Sequence, residues 1–253
     1  MKAEAAVIRQ DASKMPQLPD QSVQLVLTGP PYFDTETELL LRQPRDEQRN
    51  IGEVEQRLFA YAGSLSPVYA EIARILEPSG HLILQTKDIR YGDWLIALVN
   101  EHEKLAAQHG FRVLTRVYWD PEERPRRSNK RFADKPRENA FRARELETFS
   151  ILRRKAIRPG HPLPDLVGAS WLEEAVWRVA GETHKPRHPH ASPPEILRRL
   201  LLLFSQPGDL VVDPFCGGGG LLTIARNLGR EAIGFEIDPV RVQKARQRIE
   251  GAT

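Results

Sequence analysis

Apolar and polar residues follow two periods along this chain, and each switch of period marks an element. Val23-Gln24-Leu25-Val26-Leu27-Thr28 and Val211-Val212-Asp213 are short apolar runs rich in β-branched residues and read as buried strands. Ala232-Ile233-Gly234-Phe235-Glu236 and residues 81–86 and 111–119 read the same way, and 146–152 as the hairpin partner of 111–119. Between these runs the spacing turns helical. Leu221-Leu222-Thr223-Ile224-Ala225 forms a helix after a glycine loop, and Leu95, Leu98, Val99, His102, Leu105 and Ala106 share one face of a helix over 93–109, with His102 expected as a half-buried core residue. Ser66-Pro67 is expected to open a helix that carries Val68, Ile72, Ile75 and Leu76 and stops at Pro78-Ser79-Gly80. Ser192-Pro193-Pro194-Glu195 reads as a capping box for the helix bearing Ile196-Leu197 and Leu200-Leu201. Strands alternating with helices predict an α/β fold with a doubly wound, mostly parallel sheet.

The run Val211-Val212-Asp213-Pro214-Phe215-Cys216-Gly217-Gly218-Gly219-Gly220 is a strand closing on an acid and then a glycine loop that enters a helix. A ligand is expected over such a loop, because glycines let it approach backbone N–H groups and the helix N-terminus favours negative charge. Glu236 ends the next strand about twenty residues on, the reach at which an acid meets a ribose, so the ligand is expected to be a nucleoside. A dinucleotide fingerprint counted from Gly217 needs a glycine where Leu222 stands, and the Gly-Lys-Ser/Thr of a phosphate loop is absent.

Charge and cysteine content narrow the picture. The formal net charge is +3, yet between Arg124 and Arg144 seven arginines and two lysines face only Asp134 and Glu138, leaving that stretch at +7. A local basic stretch predicts a polyanionic partner, with Arg126, Arg127, Lys130 and Arg131 as candidate phosphate contacts and Phe132 or Phe141 as candidates to stack or wedge at a base. The single cysteine, Cys216, excludes an internal disulfide, and no apolar run approaches a membrane span, so a cytoplasmic protein is expected. No metal is expected: His184, His188 and His190 lie close together, but without a cysteine or carboxylate among them.

Thr28 runs into Gly29-Pro30-Pro31-Tyr32, where two prolines fix the backbone and present carbonyls at the carboxyl end of a strand beside an aromatic ring. Thr28-Gly29-Pro30-Pro31-Tyr32 resembles the catalytic motif of the DNA amino methyltransferases, Ser-Pro-Pro-Tyr in N4-cytosine enzymes and Asp- or Asn-Pro-Pro-Tyr in N6-adenine enzymes. Asp213-Pro214-Phe215 with Gly217, Gly219 and Glu236 is similar to that family's S-adenosylmethionine (AdoMet) site, and His188-Pro189 to a segment that helps to cover AdoMet. The resemblance implies carbonyl acceptors from Gly29 and Pro30 for the target amine and Tyr32 stacked on a flipped base. The chain departs from the family at position 29, a glycine in place of serine, aspartate or asparagine, so that Thr28 or another neighbour must supply the missing contact or the reaction is slower. Asn50-Ile51-Gly52-Glu53 and 74–80 also resemble the N4-cytosine branch, and Lys87-Asp88 is a second candidate polar pair at the site.

The catalytic motif precedes the cofactor loop, the reverse of most AdoMet enzymes, which resembles the circularly permuted β-group DNA methyltransferases. The expectation is a single methyltransferase domain over 1–253, a Rossmann-like sheet with a catalytic half over 1–155, a cofactor half over 185–253, and inserted DNA-recognition segments at 34–64, 120–145 and 156–186. AdoMet is the implied cofactor and double-stranded DNA the implied partner, and the resemblance admits a cognate restriction endonuclease and a homodimer. The favoured activity is cytosine-N4 methylation. Adenine-N6 methylation and a catalytically weak, AdoMet-bound DNA-binding module are the alternatives. C5 chemistry is excluded, because its nucleophilic cysteine is missing from the catalytic loop.

Overall fold

The computed structural model describes residues 3–31, 33, 51–91, 94–120, 146–154, 169–179 and 192–251. In chain order the strands are β1 (Ala5–Arg9), β2 (Val23–Thr28), β3 (Leu76–Thr86), β4 (Ile89–Tyr91), β5 (Trp94–Ile96), β6 (Arg112–Asp120), β7 (Glu147–Arg153), β8 (Val176–Arg178), β9 (Leu210–Asp213) and β10 (Glu231–Glu236). The helices are α1 (Ile51–Ile75), α2 (Leu98–Gln108), α3 (Pro194–Phe204), α4 (Gly220–Asn227) and α5 (Pro239–Glu250), with a 3₁₀ turn at Ser170–Glu173. Eight strands form one sheet in the order β1-β10-β9-β2-β3-β7-β6-β8, and β4 and β5 pair as a small hairpin. The five strands from β1 to β3 are mutually parallel, β7 runs antiparallel to both β3 and β6, and β8 is parallel to β6.

Alternation along each central strand divides the core into two layers. Leu25, Leu27 and Val211 pack with Leu200, Leu201, Leu222 and Ala245 of α3, α4 and α5, whereas Val26 and Val212 pack with Tyr69, Ile72 and Ile75 of α1 and Leu105 of α2. From β9 the chain passes through α4 outward to β10, and from β2 through α1 outward in the opposite direction to β3. The sheet therefore switches direction between β9 and β2, and the crevice for a ligand lies at their carboxyl ends.

Three local expectations are corrected. Ser66-Pro67 does not start a helix: α1 runs unbroken from Ile51 to Ile75 with Pro67 inside it, and Ser66 hydrogen-bonds to His109 Nε2 at 3.1 Å. The buried stripe of Val54, Tyr61, Leu65, Val68, Tyr69, Ile72 and Ile75 spans the proline and outweighs its cost of about 3 kcal/mol. Gly63, whose carbonyl loses its intrahelical donor, is exposed to solvent. The helix expected over 93–109 begins only at Leu98, because 94–96 pairs as β5, and Leu95 is exposed. The capping box at Ser192 is absent: Pro193 is the N-cap of α3 without a side-chain cap bond, and the Ser192 hydroxyl turns instead to Gln85.

Periodicity alone does not reveal β1, which lies on the outer edge of β10 with Ala5 opposite Ala232, or α5, whose N-terminus Asp238 caps through the Val240 N–H at 2.7 Å. Among the described residues no helix is long and apolar enough to cross a membrane. Of the expected recognition segments, 51–64 form the first half of α1, Asp120 ends β6, and 169–179 hold the 3₁₀ turn and β8; residues 34–50, 121–145, 156–168 and 180–186 lie outside the described residues.

Gly234 sets how closely the glycine loop sits on β10. A Cβ at this position would stand 2.6 Å from Cys216 Cβ and Leu222 Cδ1 and 2.7 Å from Cys216 Sγ, so the loop and α4 rest directly on its bare backbone. Gly234→Ala is expected to destabilise the protein by about 1–3 kcal/mol through overpacking. Thermal unfolding should then show the midpoint lowered by several degrees.

Candidate active site at two strand ends

The side chains that meet at the switch point come from opposite ends of the chain. Thr28 Oγ1, closing β2, donates to Asp213 Oδ1, closing β9, at 2.7 Å, with the two residues 3% and 7% exposed. The same carboxylate oxygen accepts the Phe215 N–H at 3.1 Å. Burial, reinforced by the nearby charge of Glu236, pushes the Asp213 carboxyl up to about 6, against the lowering pull of its two hydrogen bonds.

The glycine loop is built from backbone bonds. Cys216 N–H reaches the Phe235 carbonyl at 2.9 Å and Gly219 N–H reaches the Cys216 carbonyl at 2.8 Å, while Pro214 is buried and Phe215 partly so. Gly217 has φ 49°, and Gly219, the N-cap of α4, has φ 71°. A Cβ on Gly219 would also come within 2.9 Å of the Ala245 Cβ, so this glycine is needed for backbone conformation and for the seat of α5. Burial, with the charges of Asp213 and Glu236 behind it, raises the Cys216 thiol far above its ordinary range. It stays protonated and is no nucleophile.

Glu236 ends β10 at 9% exposure and accepts the Asp238 N–H on Oε1 at 2.9 Å. Ile237, next in sequence, is 66% exposed. The sequence reading missed it; its signal is a bulky apolar residue directly after a strand-terminal acid, where the chain otherwise turns polar.

Past β2, Gly29 is partly buried, Pro30 buried and Pro31 exposed, and Tyr32 lies outside the described residues. The Pro31 carbonyl accepts the Tyr61 hydroxyl at 2.6 Å, Tyr61 Oη lies 3.0 Å from His102 Nε2, and Tyr69 Oη lies 2.8 Å from His102 Nδ1. Burial pushes His102 down to about 4, so it is neutral. Because the Tyr61 proton goes to Pro31, His102 donates from Nε2 to Tyr61 and accepts at Nδ1 from Tyr69. The expectation of a half-buried core histidine is therefore corrected: His102 is 4% exposed and is joined through Tyr61 to the Pro-Pro turn. No periodicity reveals such a chain, since its members lie on two helices and a loop.

Gln85 was also missed. Its Nε2 donates to Glu147 Oε2 at 2.7 Å and its Oε1 accepts the Ser192 hydroxyl, beside Gly29. Asp88 accepts the Val99 N–H at 3.0 Å and so holds the first turn of α2. His188, Arg126, Arg127, Lys130 and Arg131, together with His184, His190, Phe132 and Phe141, lie outside the described residues.

A glycine loop, a buried acid at the end of the following strand and a Pro-Pro turn at the neighbouring strand end, all at one switch point, are the layout of a Rossmann-like methyltransferase. Residues 23–247 match the model of the N6/N4 DNA methylase family, and the chain belongs to that family, whose methyl donor is AdoMet. It is 30% identical to M.MjaI, a Type II methyltransferase of Methanocaldococcus jannaschii, over 92% of this chain and 86% of that one. TTHA0409 of Thermus thermophilus, assigned as a DNA modification methylase and solved with S-adenosyl-L-methionine, superposes with a TM-score of 0.74 at 22% identity over 98% and 94% of the two chains. The cytosine-N4-specific PvuII DNA methyltransferase gives 0.71 at 16% identity over 98% and 86%. At these identities the last two establish the shared fold.

The raised carboxyl of Asp213 has a signature in stability. Its folded value, about 6, exceeds the ordinary 3.8, so between these values the folded state binds more protons than the unfolded one and stability falls as pH rises. Asp213→Asn keeps an acceptor for Thr28 and should remove that slope, gaining on the order of 3 kcal/mol above pH 6 by linkage. Urea unfolding of both proteins between pH 4 and pH 7 checks this; parallel curves would refute it.

Proposed function

We propose that this protein methylates cytosine N4 in double-stranded DNA, on a base turned out of the helix, with AdoMet bound over the glycine loop. The observation that carries this reading is the Thr28–Asp213 hydrogen bond, which sets the Gly29-Pro30 backbone directly beside the cofactor loop. AdoMet supplies an electrophilic methyl on a sulfonium centre. The residues present suit it: Glu236 has a carboxylate for the ribose hydroxyls, Ile237 an exposed apolar side chain for the adenine, and Asp213 with Glu236 a buried acidic pair for a cationic ligand. Pro214, Phe215, Gly217 and Gly219 shape the loop beneath it, and His188 covers it.

An exocyclic amine is a poor nucleophile because its lone pair is delocalised into the ring. With the Pro31 carbonyl engaged by Tyr61, the carbonyls of Gly29 and Pro30 serve as acceptors for the amine hydrogens. They hold the nitrogen so that its lone pair points along the line of attack, and they stabilise the positive charge that develops there. Tyr32 stacks on the base. A bound AdoMet would supply its sulfonium methyl to the nitrogen that the Gly29 and Pro30 carbonyls hold in line, the S–CH₃ electron pair would stay with sulfur, and the surplus amine proton would leave to solvent. Arg126, Arg127, Lys130 and Arg131 grip phosphates irrespective of sequence, and a cognate restriction endonuclease is the cellular partner in this reading.

Cytosine is favoured over adenine because Gly29 is one small substitution from the serine of the Ser-Pro-Pro-Tyr form. A Cβ at Gly29 would meet only Gln85 atoms, at 3.7–3.9 Å, which is ordinary contact, so serine fits there. Nucleoside mass spectrometry of DNA methylated by the protein should show N4-methylcytosine. N6-methyladenine alone would sink the cytosine reading and leave the amino-methyltransferase intact. Gly29→Ser should keep or raise cytosine methylation, whereas Gly29→Asp should depress it by placing a charge at the ring edge.

The ribose contact is tested on its own by titration calorimetry with AdoMet. Glu236→Ala should weaken binding roughly 5- to 150-fold, the equivalent of about 1–3 kcal/mol of lost hydrogen bonding. Binding as tight as in the parent would remove Glu236 from the cofactor site.

A further inference from the structure

We infer that Gln85 supplies the acceptor for the target amine that position 29 lacks. This rests on the amino-methyltransferase reading and is independent of which base is methylated. Thr28 lies against Leu84 in the parallel pairing of β2 and β3, so Gly29 and Gln85 follow side by side at the carboxyl edge of the sheet. A Cβ built on Gly29 would stand 3.8 Å from Gln85 Oε1 and 3.9 Å from its Cβ. The amide oxygen of Gln85 thus borders the space that a serine, aspartate or asparagine side chain would enter from position 29.

The orientation of this amide follows from its partners. A carboxylate accepts and does not donate, so the 2.7 Å contact with Glu147 Oε2 must be made by Nε2, which turns Oε1 towards Ser192 and Gly29. Oε1 has two lone pairs. The Ser192 hydroxyl uses one, and the other remains for an N–H of the incoming base. Gln85 is 9% exposed and tied at both ends of its amide, so the acceptor is held in place before the base arrives. Thr28 is the weaker substitute, since its hydroxyl donates to Asp213 and is 3% exposed. An N–H can be shared between two acceptors, so Gln85 Oε1 joins the Gly29 and Pro30 carbonyls around the two amine hydrogens.

The test is single-turnover transfer of tritium from labelled AdoMet to DNA, with AdoMet affinity measured alongside by calorimetry. Gln85→Met, of similar length but without the acceptor, should transfer roughly 100- to 1,000-fold more slowly, the range for removing one preorganised polar contact, while its AdoMet affinity stays at the parent value. Adding Gly29→Ser to Gln85→Ala should restore at least tenfold of the rate lost in Gln85→Ala, because serine returns an acceptor to the same space. A parent-like rate in Gln85→Met overturns the inference. So does a loss that Gly29→Ser fails to restore while AdoMet binding and thermal midpoint stay at parent values. The methylated base is read separately by mass spectrometry, so an adenine product would overturn the cytosine reading without touching this one.

Discussion

The rest of this site depends on one buried hydrogen bond, from the Thr28 hydroxyl to the Asp213 carboxylate. It joins residues 185 positions apart and sits where the sheet changes winding direction, at the ends of two parallel strands whose carboxyl termini face the same crevice. Without a donor, the carboxyl of Asp213 would be desolvated beside Glu236 with only the Phe215 N–H to offset it. With it, the turn at Gly29-Pro30 and the loop at Pro214–Gly219 are pinned to each other. On the proposed reading these two segments hold the methyl donor and the amine, and the bond between them fixes their separation.

Around the junction, side chains on the two faces of the sheet meet the Pro-Pro turn and its neighbour Gly29 by unlike chemistry. On the α1 and α2 side, Tyr69, His102 and Tyr61 form a single directed run of hydrogen bonds that ends on the Pro31 carbonyl, and burial keeps its histidine neutral. On the other side, Glu147, Gln85 and Ser192 fix an amide next to Gly29. Proline contributes no N–H donor and little backbone freedom, so side chains reaching its carbonyl are the available means of anchoring such a turn. The first set passes through buried groups that cannot be re-paired without leaving a polar atom unsatisfied.

Glycine plays more than one part between β9 and β10. The loop was expected to need glycines so that a ligand can approach, yet Gly219 is tied by positive φ and by contact with Ala245, and Gly234 by the loop and α4 resting on it. Close packing of loop on strand is what brings Asp213, Cys216 and Glu236 near enough for their charges to be felt together. The same closeness keeps the only cysteine protonated and inert.

Much of this was legible in the amino-acid sequence because strands β2, β9 and β10 and helix α4 are short elements whose period, end residues and turn chemistry are all local. So were the glycine loop, the strand-terminal Glu236 and the Pro-Pro turn, whose residue types are local features of the chain. Local signals misled where a longer-range term overrode them: Ser66-Pro67 has the form of a helix start, but the buried stripe on both sides of it carries α1 through. They were silent on β1, placed by pairing with β10 at the far end of the chain, and on the roles of Tyr61, Gln85 and His102. Those roles belong to contacts between elements 30 or more residues apart, such as Tyr61 on Pro31 and Gln85 on Glu147. The residue types and the strands of the proposed site were determined by sequence alone, whereas the partners that hold them were decided by sheet order and register, because a hydrogen bond depends on position in space and a period along the chain does not encode it.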